Sequence, residues 1–109
     1  VKELADFAKE NVKRTGYADR VTLTHGDGSV GLIGNAPYDA IIVTSAAPDI
    51  PEPLIEQLKP DGNLLIPVGS PQFFQQLIQV TKRKDGKIAK ENLGGVAFVP
   101  LRGKKGWSF

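Results

Sequence analysis

Apolar positions along the chain follow two rhythms, one near the helical period of about 3.6 residues and one continuous or alternating. Val1, Leu4, Ala5, Ala8 and Val12 share one helical face, with Lys2, Glu3, Lys9, Glu10 and Lys13 mostly opposite. Gly16, just past the cations of the last turn, is placed to stop that helix. Val21 and Leu23, with threonines beside them, predict a short strand ending at His25-Gly26-Asp27-Gly28. A glycine-rich loop through Gly31, Gly34, Asn35 and Pro37 comes next. Residues 38–44, Tyr38-Asp39-Ala40-Ile41-Ile42-Val43-Thr44, are apolar at the centre without alternation. Such a run suits a strand buried on both faces of a parallel sheet.

Asp49 and Glu52 are spaced as an N-cap and its partner, with Pro51 and Pro53 acceptable in a first turn and Leu54, Ile55 and Leu58 on the buried side. Pro60-Asp61-Gly62 predicts a turn, and Leu64-Leu65-Ile66-Pro67-Val68 a further apolar strand ending at Gly69. From there the period changes. Residues 74–82 alternate loosely, Asp85-Gly86 is a tight-turn signal, and a second run extends from Lys87 to Leu101, which together predict a hairpin. The order helix, strand, strand, helix, strand, hairpin belongs to an open α/β sheet with an antiparallel end.

Composition narrows the class. In 109 residues, 40% hydrophobic and 24% charged, disorder is a poor description, and no apolar run is long enough for a membrane helix. The absence of cysteine excludes disulfides, thiolate metal sites and a cysteine nucleophile, and suits a cytoplasmic protein. A single histidine, His25, cannot build a histidine-rich metal site, so no metal is expected. Residues 1–55 carry a net charge of −3 and residues 56–109 a net of +5. The basic half raises nucleic acid as a partner, but Lys82-Arg83-Lys84 and Lys104-Lys105 have few aromatic neighbours on which bases could stack. These charges are expected to face water, with neither nucleic acid nor membrane as partner. Repeats and linkers are absent. The chain starts with valine inside a helical pattern, which predicts that the N-terminal part of something larger is missing.

In an open α/β sheet, ligands bind beyond the carboxyl ends of the strands. Three segments are expected at that edge: Gly26-Asp27-Gly28-Ser29, Thr44-Ser45-Ala46-Ala47-Pro48 and Gly69-Ser70. The Asp27 carboxylate can accept a hydrogen bond from an amine or ribose hydroxyl, while the glycines let a flat ring approach the backbone. Asp-Gly is also an ordinary turn dipeptide, and local spacing leaves both readings open. Ser45 lacks the Gly-x-Ser-x-Gly elbow of a hydrolase, and His25 is the one available base, which argues against a triad. Trp107 is expected to pack the C-terminus against the sheet.

The strings Gly26-Asp27-Gly28-Ser29, Ala36-Pro37-Tyr38-Asp39-Ala40-Ile41-Ile42-Val43-Thr44 and Ala46-Ala47-Pro48 resemble the protein-L-isoaspartate O-methyltransferase family. The resemblance continues through Leu58-Lys59-Pro60-Asp61-Gly62, Leu65-Ile66-Pro67-Val68-Gly69 and Gly95-Val96-Ala97-Phe98-Val99-Pro100-Leu101. It implies a Rossmann-like S-adenosylmethionine-dependent methyltransferase sheet, incomplete at the N-terminus and ending in an antiparallel hairpin. Residues 1–109 would be the C-terminal part of a single methyltransferase domain. The implied reaction moves a methyl group from S-adenosylmethionine to the α-carboxylate of L-isoaspartyl residues, so damaged proteins or peptides are the expected partners. Asp27 and Gly28 would contact the adenine end of the cofactor. Ala97 and Val99 would offer backbone hydrogen bonds to the substrate peptide. Arg102 and Gly106 would fall near the cofactor.

The family's glycine-rich cofactor loop, ribose-binding acid and catalytic serine all precede the helix that opens this chain, and no Gly-x-Gly-x-Gly occurs here. The chain is therefore expected to carry no catalytic residue and to be inactive alone. The rival expectations are another Rossmann-like methyltransferase with a small-molecule or nucleic-acid substrate, and a non-catalytic interaction module. Oligomeric state is left open.

Overall fold

The computed structural model describes residues 1–70 and 72–107. Helix α1 runs from Lys2 to Thr15 and ends as its glycine predicts: Gly16 takes φ 83°, and the Tyr17 amide returns to the Val12 carbonyl at 3.2 Å. The predicted strand around Val21 and Leu23 does not form. Those residues have no regular secondary structure and no ladder partner among the described residues. The β-forming composition is present, but a strand exists only where a neighbour accepts its hydrogen bonds.

The sheet consists of β1 (Tyr38–Ile42), β2 (Leu58–Val68), β3 (Gln75–Lys82) and β4 (Ile88–Val96), in that spatial order. A short helix α2 (Glu52–Glu56) connects β1 to β2, which pair in parallel, while β2–β3 and β3–β4 are antiparallel. This is the expected α/β sheet with an antiparallel end. The turn expected at Pro60-Asp61-Gly62 is absorbed within β2 as a bulge. Tyr38 lies opposite Leu58 but Ala40 opposite Asn63, and Asp61 sits at φ 65° in the surplus loop of backbone. Asp85-Gly86 makes the predicted hairpin turn, with the Arg83 amide on the Lys87 carbonyl at 2.8 Å. The capping pair at α2 is not realised: Asp49 accepts the Ile50 amide at 2.8 Å instead, and α2 starts after Pro51 with no side-chain cap.

The core lies on the α2 face of the sheet, where Leu54 and Leu58 meet Leu64, Ile66 and Val80, with Ile41, Val43 and Ile78 packed around them. Cross-strand pairs Leu64–Val80 and Ile66–Ile78 bring the apolar side chains of β2 and β3 together. The strand β1 departs from its expected burial on both faces. Ile41 packs on the core, but Ile42, on the opposite face, is 70% exposed. β1 is one of the two edge strands of the sheet, with no covering layer over its second face among the described residues. Helix α1 likewise buries none of its residues.

Candidate functional site

The parallel strand β1 delivers the chain at its carboxyl end to Thr44 and Ser45, and the loop before it brings Asp27 and Gly28 alongside. Together with Leu32 and Leu101 they line an open cleft of about 490 Å³. Two of the three segments expected at this edge thus meet in one site, whereas Gly69 and Ser70 do not line it. The loop is held by Gln57, at the C-terminal end of α2. Its Oε1 accepts the Leu32 amide at 2.9 Å and its Nε2 donates to the Val30 carbonyl at 3.0 Å. Gly31 passes so close that a Cβ there would stand 2.2 Å from Gln57 Oε1, at a backbone φ of 74°. Only glycine fits that approach.

Asp27 is both a turn residue and a member of the cleft. Its Oδ1 accepts the Ser29 amide at 2.9 Å and the Ser29 hydroxyl at 2.6 Å, closing an Asx turn at the Gly28–Val30 3-10 helix. Its Oδ2 accepts the Lys104 backbone amide at 2.8 Å, and the buried Ser29 Oγ accepts that of Lys105 at 3.0 Å. The Lys104 amide, then the Ser29 hydroxyl and amide, hold the Asp27 pKa below the ordinary carboxylate value. Residues 101–107 therefore form a strap across the cleft rim. The strap's far end is anchored as expected for Trp107, whose Nε1 donates to the Ala46 carbonyl at 2.9 Å. Arg102 and Gly106 belong to this strap and do not line the cleft.

Residues 97–99 hang beside the same site. The Val99 carbonyl accepts the Ala46 amide at 2.6 Å, and the Ala46 carbonyl accepts the Leu101 amide at 2.8 Å. The Phe98 amide is taken by the side chain of Gln75 at 2.7 Å. Among the described residues, the Ala97 amide and carbonyl and the Val99 amide have no partner, and both residues are exposed. This is a short run of backbone between the end of β4 and the bridge of Pro100 to Ala46, one residue from the cleft wall at Ser45, with hydrogen-bonding groups to spare.

Ser45 lines the cleft, but exposed His25 does not, and the two share no hydrogen bond. No cluster of metal-binding side chains occurs among the described residues. Ser29 belonged to a segment expected at this edge, though without a role of its own, whereas Gln57 and Gln75 were not predicted as part of the site. Ser29 had a signal, lying two residues after an Asx-turn former. The glutamines had none, because glutamine is ordinarily a surface residue.

The model of the family described as protein-L-isoaspartate(D-aspartate) O-methyltransferase matches residues 1–106. A protein-L-isoaspartate O-methyltransferase from Thermococcus onnurineus is 53% identical over 107 residues, covering 98% of this chain and 49% of the relative. One from Pyrococcus horikoshii is 56% identical, covering 98% and 48%. The chain spans about half the length of the curated relatives it matches. A Plasmodium falciparum protein described as a protein-L-isoaspartate O-methyltransferase, solved in complex with S-adenosyl-L-homocysteine, superposes with a TM-score of 0.76 at 31% identity. It aligns with 94% of this chain and 49% of its own. A second solved protein-L-isoaspartate O-methyltransferase gives a TM-score of 0.85 at 28% identity, over 97% of this chain and 33% of its own. With 106 of its 109 residues matched, the chain belongs to the protein-L-isoaspartate(D-aspartate) O-methyltransferase family.

Proposed function

We propose that the whole protein is a repair enzyme that methylates the α-carboxylate of L-isoaspartyl residues in damaged proteins, and that this chain supplies the adenine side of the cofactor site and the peptide-binding strand. The observation that carries the reading is the juxtaposition at Ala46. One residue before it, Ser45 lines the cleft, and its own amide holds the Val99 carbonyl at 2.6 Å. Cofactor and peptide sites would share that wall. The reaction is placed in the cytoplasm, which suits a cysteine-free chain.

S-adenosylmethionine, when bound, supplies the transferable methyl group. The residues present fit its adenine end. A carboxylate has about four acceptor positions. Asp27 uses two on Oδ1 and one on Oδ2, which leaves one on Oδ2 for an exocyclic amine. A Cβ built at Gly28 would meet nothing within 4 Å, so the space beside the backbone is open to a flat ring. Ala97 and Val99 would bind the peptide by strand addition through backbone groups that have no partner among the described residues. Fixing the carboxylate in line with the methyl donor is a matter of positioning, which can supply most of the rate without an acid or base from this chain.

The test is transfer of label from radiolabelled S-adenosylmethionine to an isoaspartyl peptide, with the aspartyl peptide as control. The whole protein should form a base-labile ester on the first and none on the second, and the isolated 109-residue chain should form none on either. Label entering nucleic acid or a small metabolite in place of the peptide would refute the assignment. Asp27→Ala in the whole protein should weaken S-adenosylhomocysteine binding by about one to two decades, the loss expected for one charged hydrogen bond. Unchanged affinity by calorimetry would restrict Asp27 to holding the strap.

A further inference from the structure

We propose that Gln75 is a positioning residue for the peptide-binding strand, acting from beneath it by fixing the Phe98 amide. This inference rests on the assignment of residues 97–99 to the substrate. Gln75 opens β3 and is only 1% exposed, an unusual place for a primary amide. Its side chain makes three hydrogen bonds among the described residues, all to backbone groups of other segments. Its Oε1 accepts the Phe98 amide at 2.7 Å, while its Nε2 donates to the Ser70 and Phe73 carbonyls, each at 2.8 Å. Both N–H donors are therefore used, and the plane and roll of the carboxamide are determined. The ladder between β3 and β4 ends with Gln75 opposite Val96. Beyond that point no strand among the described residues holds residues 97–99 from the β3 side, and the Gln75 side chain extends the pairing to Phe98, two residues further.

The consequence falls on the neighbours of Phe98. In extended backbone, successive amides point to opposite sides. Committing the Phe98 amide to the β3 side directs the amides of Ala97 and Val99 to the other side, and these have no partner among the described residues. The Ala46 amide fixes the Val99 carbonyl from another direction, at 2.6 Å. Gln75 and Ala46 together leave the strand one rotational setting, so the cost of ordering it is met before the peptide arrives. An aliphatic residue at position 75 would fill the space, release the Phe98 amide and let the strand roll. Peptide affinity would fall while the cofactor cleft, which Gln75 does not line, kept its shape.

The decisive experiment compares Gln75→Leu with wild-type whole protein in steady-state methylation of an isoaspartyl peptide, with S-adenosylhomocysteine affinity measured in parallel. Gln75→Leu should raise KM for the peptide about tenfold, the effect of one lost buried hydrogen bond. The kcat and the cofactor affinity should stay within about twofold. A merely structural role would instead lower kcat through the folded fraction and leave KM unchanged, and that result overturns the proposal. If Gln75→Leu fails to fold, Gln75→Glu takes its place. Its carboxylate repels the Ser70 and Phe73 carbonyls when charged, and when protonated it can donate to one of them while still accepting from Phe98. Its KM should therefore recover toward wild type as pH falls, and a KM ratio to wild type that is flat with pH overturns the proposal. A wild-type protein that methylates no isoaspartyl peptide overturns both this proposal and the assignment of function. An active wild type with an unchanged KM for the folded Gln75→Leu variant overturns this proposal alone.

Discussion

The central strands β2 and β3 and the region of β1 and α1 each carry apolar positions in a regular pattern, and they ended differently. In the centre β2 and β3 each have a strand on both sides, and Leu64, Ile66 and Val80 are fully buried. In the other region β1 is an edge, Ile42 is 70% exposed, and α1 shows Leu4 and Phe7 each at 66% exposure. The difference is not propensity. Helix α1 forms over its predicted span with a glycine C-cap, and β1 forms within the predicted run. What α1 and the second face of β1 lack among the described residues is a covering partner. An apolar pattern specifies which surface must be covered, whereas burial depends on whether another element is there to cover it.

The largest expected effect comes from removing the same kind of side chain on each side of that divide. Ile66→Ala should cost about 2–5 kcal/mol in the isolated chain, because the methyl and ethyl groups leave a cavity in packed surroundings. Leu4→Ala on α1 should change stability by less than about 0.5 kcal/mol, since an exposed side chain has little to lose. Urea denaturation followed by circular dichroism measures both. Equal losses would show that α1 is packed in solution and would erase the contrast.

A smaller effect concerns the open edge of β1. Unpaired strand backbone beside an exposed isoleucine is a template for pairing with a second chain. The isolated chain should therefore associate at micromolar concentration, and Ile42→Lys should shift it toward monomer in sedimentation velocity. A wild-type chain that remains a clean monomer would mean that the edge is blunted in solution, and the two sides would then differ in burial but not in behaviour.

Much of the paired side was legible because its signals are local. Asp85-Gly86 dictates a tight turn through its own backbone preferences, and the hairpin followed. Pro60-Asp61-Gly62 also carried a true turn signal, but whether such a kink ends a strand or bulges inside one depends on what β1 offers across the gap. Residues 21–24 failed for the same reason: no local feature reports a missing neighbour. In the site, Asp27 stood out as a carboxylate between glycines. Its partner at Lys104, 77 positions away, was invisible because a backbone amide has no side-chain signature. Gln57 and Gln75 were hidden differently, since their role depends on burial that a polar residue does not announce.

The strap joins the two sides, and its attachment should respond to pH. Residues 101–107 tie Asp27, on the loop before β1, to Ala46 through the Trp107 indole. The Asp27 carboxylate accepts its bonds most strongly when ionised, and the Lys104 and Ser29 donors lower its pKa in the folded chain. A depressed carboxylate pKa means that the unfolded chain binds its proton more readily than the folded one. The attachment is therefore fully present above the ordinary value of 3.8 and is lost as pH falls through the lower folded value. The backbone amide resonance of Lys104 should follow that titration, with a midpoint below 3.8 and the Ser29 amide moving in step. In Asp27→Asn neither amide should show it, since the remaining amide oxygen does not ionise. A midpoint at or above 3.8 in the parent chain, or a Lys104 amide indifferent to pH, would detach the strap from Asp27 and leave the loop before β1 tethered to the paired side by Gln57 and not by the C-terminal segment.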